Sequence, residues 1–164
     1  MPSLNQFKKL DPELRKDLIE RVILRKKRFL ALTGKRGTFD PSTCDVLLVG
    51  DRPAPSAPDD ANFHYTPFGA LWNSSLYVNM ELHKGGIDEA RLAWVNSADF
   101  HGVPQDYSVL DLPWKHVIAL GGAGSKWLKK SPQKIPHEIF HHPSSWKRFH
   151  SKEPYPLIDY LKTI

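Results

Sequence analysis

The sequence predicts an α/β protein, a three-layer α/β/α sandwich around a central, mainly parallel sheet of four strands. Short apolar runs at residues 46–49, 92–95 and 116–120 carry no alternating polar residues, the pattern of strands buried on both faces. Helical spacing between them implies right-handed βαβ crossovers. Each run also ends in turn-forming residues: Gly50-Asp51-Arg52-Pro53 after the first, Asn96 after the second, Gly121-Gly122-Ala123-Gly124 after the third. In an open parallel sheet the ligand crevice lies beyond the carboxyl ends of the strands. Chemistry is expected where these endings converge.

The elements follow in order. Asp11 and Pro12 form an N-cap and first helical residue. Leu14, Leu18, Val22, Leu24 and Phe29 then recur at helical spacing, and Gly34 is a suitable stop. This helix is expected to lay an apolar stripe on the sheet and turn a basic face to solvent, making residues 1–38 a basic helical extension. Residues 35–42 read as a loop. After the first strand, the Pro-rich stretch 53–58 is a rigid loop, because proline cannot donate to a sheet ladder. Thr66-Pro67 starts a second helix through Leu71, Trp72, Leu76 and Met80, closed near Gly85-Gly86. The glycine run at 121–124 leads into a short helix ending in lysines. Glu138-Ile139-Phe140 is the fourth strand, and residues 157–161 lie on a final helix. No repeat or second boundary divides the 164 residues, so one domain is expected.

Apolar content of 40% and charged content of 25% describe an ordinary globular composition. No apolar run approaches the roughly 20 residues that span a bilayer, and the first residues lack a secretory apolar core. The single cysteine, Cys44, excludes an internal disulfide and any multi-cysteine metal or iron–sulfur site. An intracellular, cytoplasmic, monomeric protein without a cofactor or membrane partner is the expectation. The net charge of +5 gathers in two regions, one with Arg21, Arg25, Lys26, Lys27, Arg28, Lys35 and Arg36, the other with Lys126, Lys129, Lys130, Lys147, Arg148 and Lys152. Such segregation suits polyanion binding, DNA included, or simply a solubilising surface.

Three motifs are candidates for chemistry: Gly50-Asp51-Arg52-Pro53, Asn96, and His142-Pro143-Ser144. Asp51 can also be a turn cap, and Asn96 a strand-end turn residue. His142 directly before Pro-Ser has few purely structural reasons to exist, whereas His141 is expected to point the other way. His101, His137, His141, His142 and His150 match no zinc-site spacing. The glycines at 121–124 either cradle a phosphate or let a helix pack closely on a strand.

In order and strand context, these motifs resemble those of the uracil-DNA glycosylase superfamily, over roughly residue 45 to the C-terminus. The family carries a Gly-x-x-Pro loop, an aromatic-bearing segment (here Phe63 to Phe68), an Asn after a central strand and a late His-Pro-Ser. The resemblance implies a DNA glycosylase that flips a deaminated or modified pyrimidine from DNA and hydrolyses its N-glycosidic bond. Gly50, Arg52 and Pro53 would shape the loop, and Phe63 or Phe68 would stack under the base. Asn96 would read the pyrimidine edge and His142 would stabilise the departing base. Ser144 would hold a phosphate. Trp146, expected to be exposed, would fill the vacated stack, while Lys126, Lys147 and Arg148 contact DNA. The best-known branch has an aspartate directly before the loop proline, where this chain has Arg52. Asp51, one residue earlier, matches an acidic residue of the iron–sulfur branch and would orient the attacking water. The four cysteines of that branch are absent. The alternative is a catalytically silent DNA-binding module of the same fold, with Arg52 filling the water site.

Overall fold

The computed structural model describes residues 4–32, 43–51, 73–99, 101–150 and 152–164. Its elements are α1 (Leu4–Lys8), α2 (Pro12–Leu32), β1 (Val46–Gly50), α3 (Asn73–Lys84), β2 (Leu92–Asn96), β3 (His116–Leu120), α4 (Gly122–Lys130), β4 (Glu138–Phe140), α5 (Pro143–His150) and α6 (Pro156–Thr163). Short 3-10 turns precede β2 (Glu89–Arg91) and β3 (Tyr107–Asp111). Four of the sequence expectations fall outside the described residues: the stop at Gly34, the loops at 35–42 and 53–58, and the helix start from Thr66 to Trp72. The helices α1 and α5 were not foreseen. In α5, the Pro143-Ser144 pair that looks like a loop is instead a helix start, proline being well suited to a first helical position.

All strand pairs are parallel, in the order β2-β1-β3-β4, with Gly50 opposite Asn96. Strand alternation divides the core into two layers. Val46, Leu48, Leu92, Trp94, Ile118 and Leu120 face one way and pack with Val78 and Leu82 of α3 and Leu157, Ile158 and Leu161 of α6. Leu47, Val49, Ala93, Val95, Val117 and Ala119 face the other and meet Phe29 of α2 and Trp127 and Leu128 of α4. Continuous apolar runs were the right signal because both faces of each inner strand are covered. The sandwich has its three layers.

Asp11 caps α2 as expected, its carboxylate accepting from the backbone N–H of Glu13 at 3.0 Å and of Leu14 at 3.4 Å. The basic face of α2 is a correction. Arg21 and Arg25 are only 8% and 1% exposed. Both donate to Glu89, at 3.2 Å from Arg21 and at 2.9 and 3.0 Å from Arg25. Glu89 also accepts from the indole N–H of Trp94 at 2.7 Å, and the Arg25 guanidinium lies 4.1 Å from the Trp94 ring centroid. Arg28 donates to the carbonyl of Ala90. These cations bind α2 to the start of β2, because a buried guanidinium persists only with carboxylate and aromatic partners.

The strand order reverses between β1 and β3, which makes their carboxyl ends the topological switch point. There, Gly121 has φ of 106°, a conformation costly to any residue with a Cβ. A Cβ on Gly124 would lie 2.7 Å from the carbonyl oxygen of Val49, so this glycine lets α4 press onto β1.

Candidate active site

Four strand ends meet at the carboxyl edge. Asp51 follows β1, Asn96 ends β2, Gly121 follows β3, and His142 follows β4. Helices α4 and α5 both begin here, so two positive dipole ends face the same edge. This convergence follows from the parallel topology alone.

The turn at Asp51 is held by its backbone. The Gly50 carbonyl accepts from Ser97 N–H at 3.0 Å. The Asp51 carbonyl accepts from Ala98 N–H at 3.2 Å and from the Ser97 hydroxyl at 3.0 Å. The segment after β2 is braced in turn by Asp99, whose carboxylate accepts from the N–H groups of His101 and Val103, both at 2.8 Å. Ser97 and Asp99 went unnoticed in the sequence, where a Ser and an Asp after a strand look like ordinary turn residues. With its main chain so fixed, the exposed Asp51 carboxylate makes no hydrogen bond to a described residue.

Asn96 is 4% exposed. Alternation puts its side chain on the face shared by Leu92 and Trp94, the layer onto which α5 also packs through Trp146. Its amide makes no side-chain hydrogen bond to a described residue. It is not among the fully enclosed side-chain polar atoms that lack a partner, which among the described residues include Gln105 Nε2 nearby in the chain.

His142 is half-buried, with its Cβ and Cδ2 against Gly121. Its Nδ1 accepts from the backbone N–H of Ser144 at 3.2 Å and lies 2.8 Å from the Ser144 hydroxyl. An Nδ1 that accepts from an N–H holds no proton, so the neutral ring carries its hydrogen on Nε2. Burial lowers the His142 pKa below its ordinary 6.5, and the nearby Asp51 charge opposes that shift. The imidazole is therefore a neutral, oriented donor, coupled to the carboxylate across the switch point.

The expected peripheral residues separate into those that reach the edge and those that do not. Gly50 is buried at the end of β1. Ser144 is exposed, and its hydroxyl lies 2.8 Å from His142 Nδ1. Trp146 is half-buried, not exposed. Its indole N–H donates to the Glu153 carbonyl at 3.3 Å, and its ring stacks on His150 with centroids 4.3 Å apart. Lys147 is half-buried with its ammonium 6.0 Å from the Tyr77 ring centroid, and desolvation lowers its pKa. Lys126 and Arg148 are exposed, on α4 and α5. Arg52, Pro53, Phe63 and Phe68 lie outside the described residues. His141 is exposed at 5.8 Å from Trp146, centroid to centroid, and its carbonyl accepts from the Tyr155 hydroxyl. His137 pairs with the Ser125 hydroxyl at 2.9 Å. Among the described residues, no group of three or more His, Cys, Asp or Glu is arranged to hold a metal ion. No helix of the described residues is long and apolar enough to cross a membrane.

No protein-family model matches the chain, and no curated protein matches it either.

Proposed function

We propose that this chain is a DNA glycosylase of the uracil-DNA glycosylase type, acting as a monomer inside the cell on a deaminated or modified pyrimidine. The observation that carries this reading is the trio at the carboxyl edge. Asp51 and Asn96 present polar groups that make no hydrogen bond to described residues, and Ser144 fixes the tautomer of His142. Each state suits one demand of base excision.

The departing base leaves with the electron pair of the N-glycosidic bond, so negative charge collects on its ring carbonyls. A neutral Nε2–H donor stabilises that charge without first having to lose a competing proton. The dipoles of α4 and α5 add to the same effect. Asp51, whose carboxylate makes no hydrogen bond to a described residue, orients a water toward the sugar carbon and offsets the positive charge that develops there. Asn96 offers one donor and one acceptor to a pyrimidine edge. Lys126 and Arg148, exposed on the two helices that begin at the site, serve the flanking phosphates.

The direct assay uses uracil-containing single- and double-stranded oligonucleotides, followed by alkaline cleavage at abasic sites. Strand scission at the uracil or at a modified pyrimidine is the expected result. DNA binding without scission on any of a panel of such bases would overturn the enzyme reading and leave the silent binding module.

A further inference from the structure

Phe149 is 72% exposed, more than any other large hydrophobic residue among those described. Its place on α5 explains why. Trp146, three residues earlier, packs against the core and fixes the rotation of this eight-residue helix, which leaves Phe149 in solvent. The Arg148 guanidinium lies 5.5 Å from the Phe149 ring centroid. Lys147 and His150 flank the pair on the helix, and Lys152 follows it, with the acidic Glu153 3.7 Å from His150. From Pro143 to Phe149 the helix rises roughly 9 Å at 1.5 Å per residue.

We propose that Phe149 and Arg148 form a stacking platform for an unpaired base of single-stranded DNA, a short distance along the strand from the nucleotide held at the carboxyl edge. The occupant follows from the chemistry of the patch. A solvated aromatic ring among cations matches a π-face joined to a phosphate. Protein interfaces, by contrast, are depleted of lysine, and one here would desolvate Lys152. A continuous duplex offers base edges and no free face, so the ring gains a partner only where the strand is unpaired. The inference deepens the glycosylase reading by assigning that site a strand preference.

The test measures binding of the full-length protein to a uracil-free single strand and to its duplex by fluorescence anisotropy. Phe149→Ala is expected to weaken single-strand binding about tenfold, the scale of one lost base stack. Duplex binding should change less than twofold, and Phe149→Trp should restore the single-strand affinity. Arg148→Ala should also lower the slope of log K against log salt by about one, whereas Phe149→Ala leaves the slope unchanged. Unaltered single-strand binding in Phe149→Ala, or an equal loss on both probes, overturns the proposal. So does a native dimer that this substitution dissociates in sedimentation, with DNA binding intact. Because the probe has no excisable base, the platform and the glycosylase reading can fail independently.

Discussion

The two edges of the sheet carry similar residues and use them in opposite ways. At the amino edge, Asp45 precedes β1 and is gripped by Arg91 in a two-point pair, at 3.2 and 3.1 Å. Arg91 also donates to the carbonyl of Ile164 at 2.8 Å, which ties in the end of α6. Glu89 collects Arg21, Arg25 and Trp94. A hollow of about 220 Å³ opens there, lined by Gly85, Ile87, Leu161 and Lys162, but its Arg91 is already bound. At the carboxyl edge, Asp51 follows the same strand and its carboxylate bonds to no described residue. Two aspartates thus bracket β1, one closing the fold and one left open. Polar groups that satisfy one another stabilise structure, while those that depend on a visitor serve chemistry.

The comparison breaks most severely at Glu89. Replacing it with Ala takes the buried carboxylate from Arg21, which keeps Asp17, from the fully enclosed Arg25, which keeps the neutral amide of Asn79, and from the Trp94 indole N–H. The expected cost is about 3–5 kcal/mol in urea unfolding, because a charge left without its partner is worse than a missing pair. Excision measured well below the new melting temperature should be little changed. A loss under 1 kcal/mol would mean that the arginines find other partners and that the amino edge is less closed than its distances suggest.

The opposite signature belongs to the carboxyl edge. His142→Ala and Asp51→Asn should each lower kcat about 10²–10³-fold, the range for removing an oriented donor or a positioned base. Melting temperature should hold or rise, since groups kept for a ligand are stability reservoirs. Parallel falls in kcat and melting temperature would make these residues structural and erase the difference between the edges.

How much of this contrast was legible in the sequence depended on range. The inner strands announced themselves because burial on two faces writes an uninterrupted apolar run, as in residues 46–49. The short β4 was legible from its position before His-Pro-Ser, and the edge trio from the parallel topology. Partnerships across long separations were not. Arg25 looks like a solvated helix charge until Glu89, 64 residues away, is brought beneath it. The expectation of an exposed Trp146 failed for a local reason: Trp146 and Phe149 both lie beside cations on α5, and only the rotation of that helix decides which faces out. That rotation is set by packing against α3 and Tyr155, which no short motif records.

Asn96 sharpens the comparison at a smaller scale. Its amide makes no side-chain hydrogen bond to a described residue, so Asn96→Ala should change stability by less than about 1 kcal/mol. The same change should reduce kcat/KM on the favoured pyrimidine while flattening discrimination among bases. Destabilisation by 2 kcal/mol or more would place Asn96 with the amino-edge residues instead.

The smallest expected effect separates the edges by pH. His142 in the fold takes up a proton less readily than at its ordinary 6.5, because burial opposes the charge. On acidification below 6.5 the unfolded chain binds that proton first, so this group's stability is complete above that value and declines as pH falls through the folded pKa. Asp45 follows the same sign in a lower window. Burial alone would push its pKa up, but the Arg91 hydrogen bonds outweigh it and hold the carboxyl below the ordinary 3.8. Its contribution is therefore intact above 3.8 and lost as pH falls through its folded value. The Arg91 side chain is about one-third exposed, so the pair is worth no more than roughly 1 kcal/mol. Urea titrations between pH 7.5 and pH 3 should thus show two steps. His142→Ala should remove the upper one, and Asp45→Asn should shrink the lower one. Asp17 also contributes to the lower step, because its burial is outweighed by Arg21 and His83, which hold its carboxyl below 3.8. An upper step that survives in His142→Ala would have to come from another imidazole, and the carboxyl edge would lose its claim to the pH response.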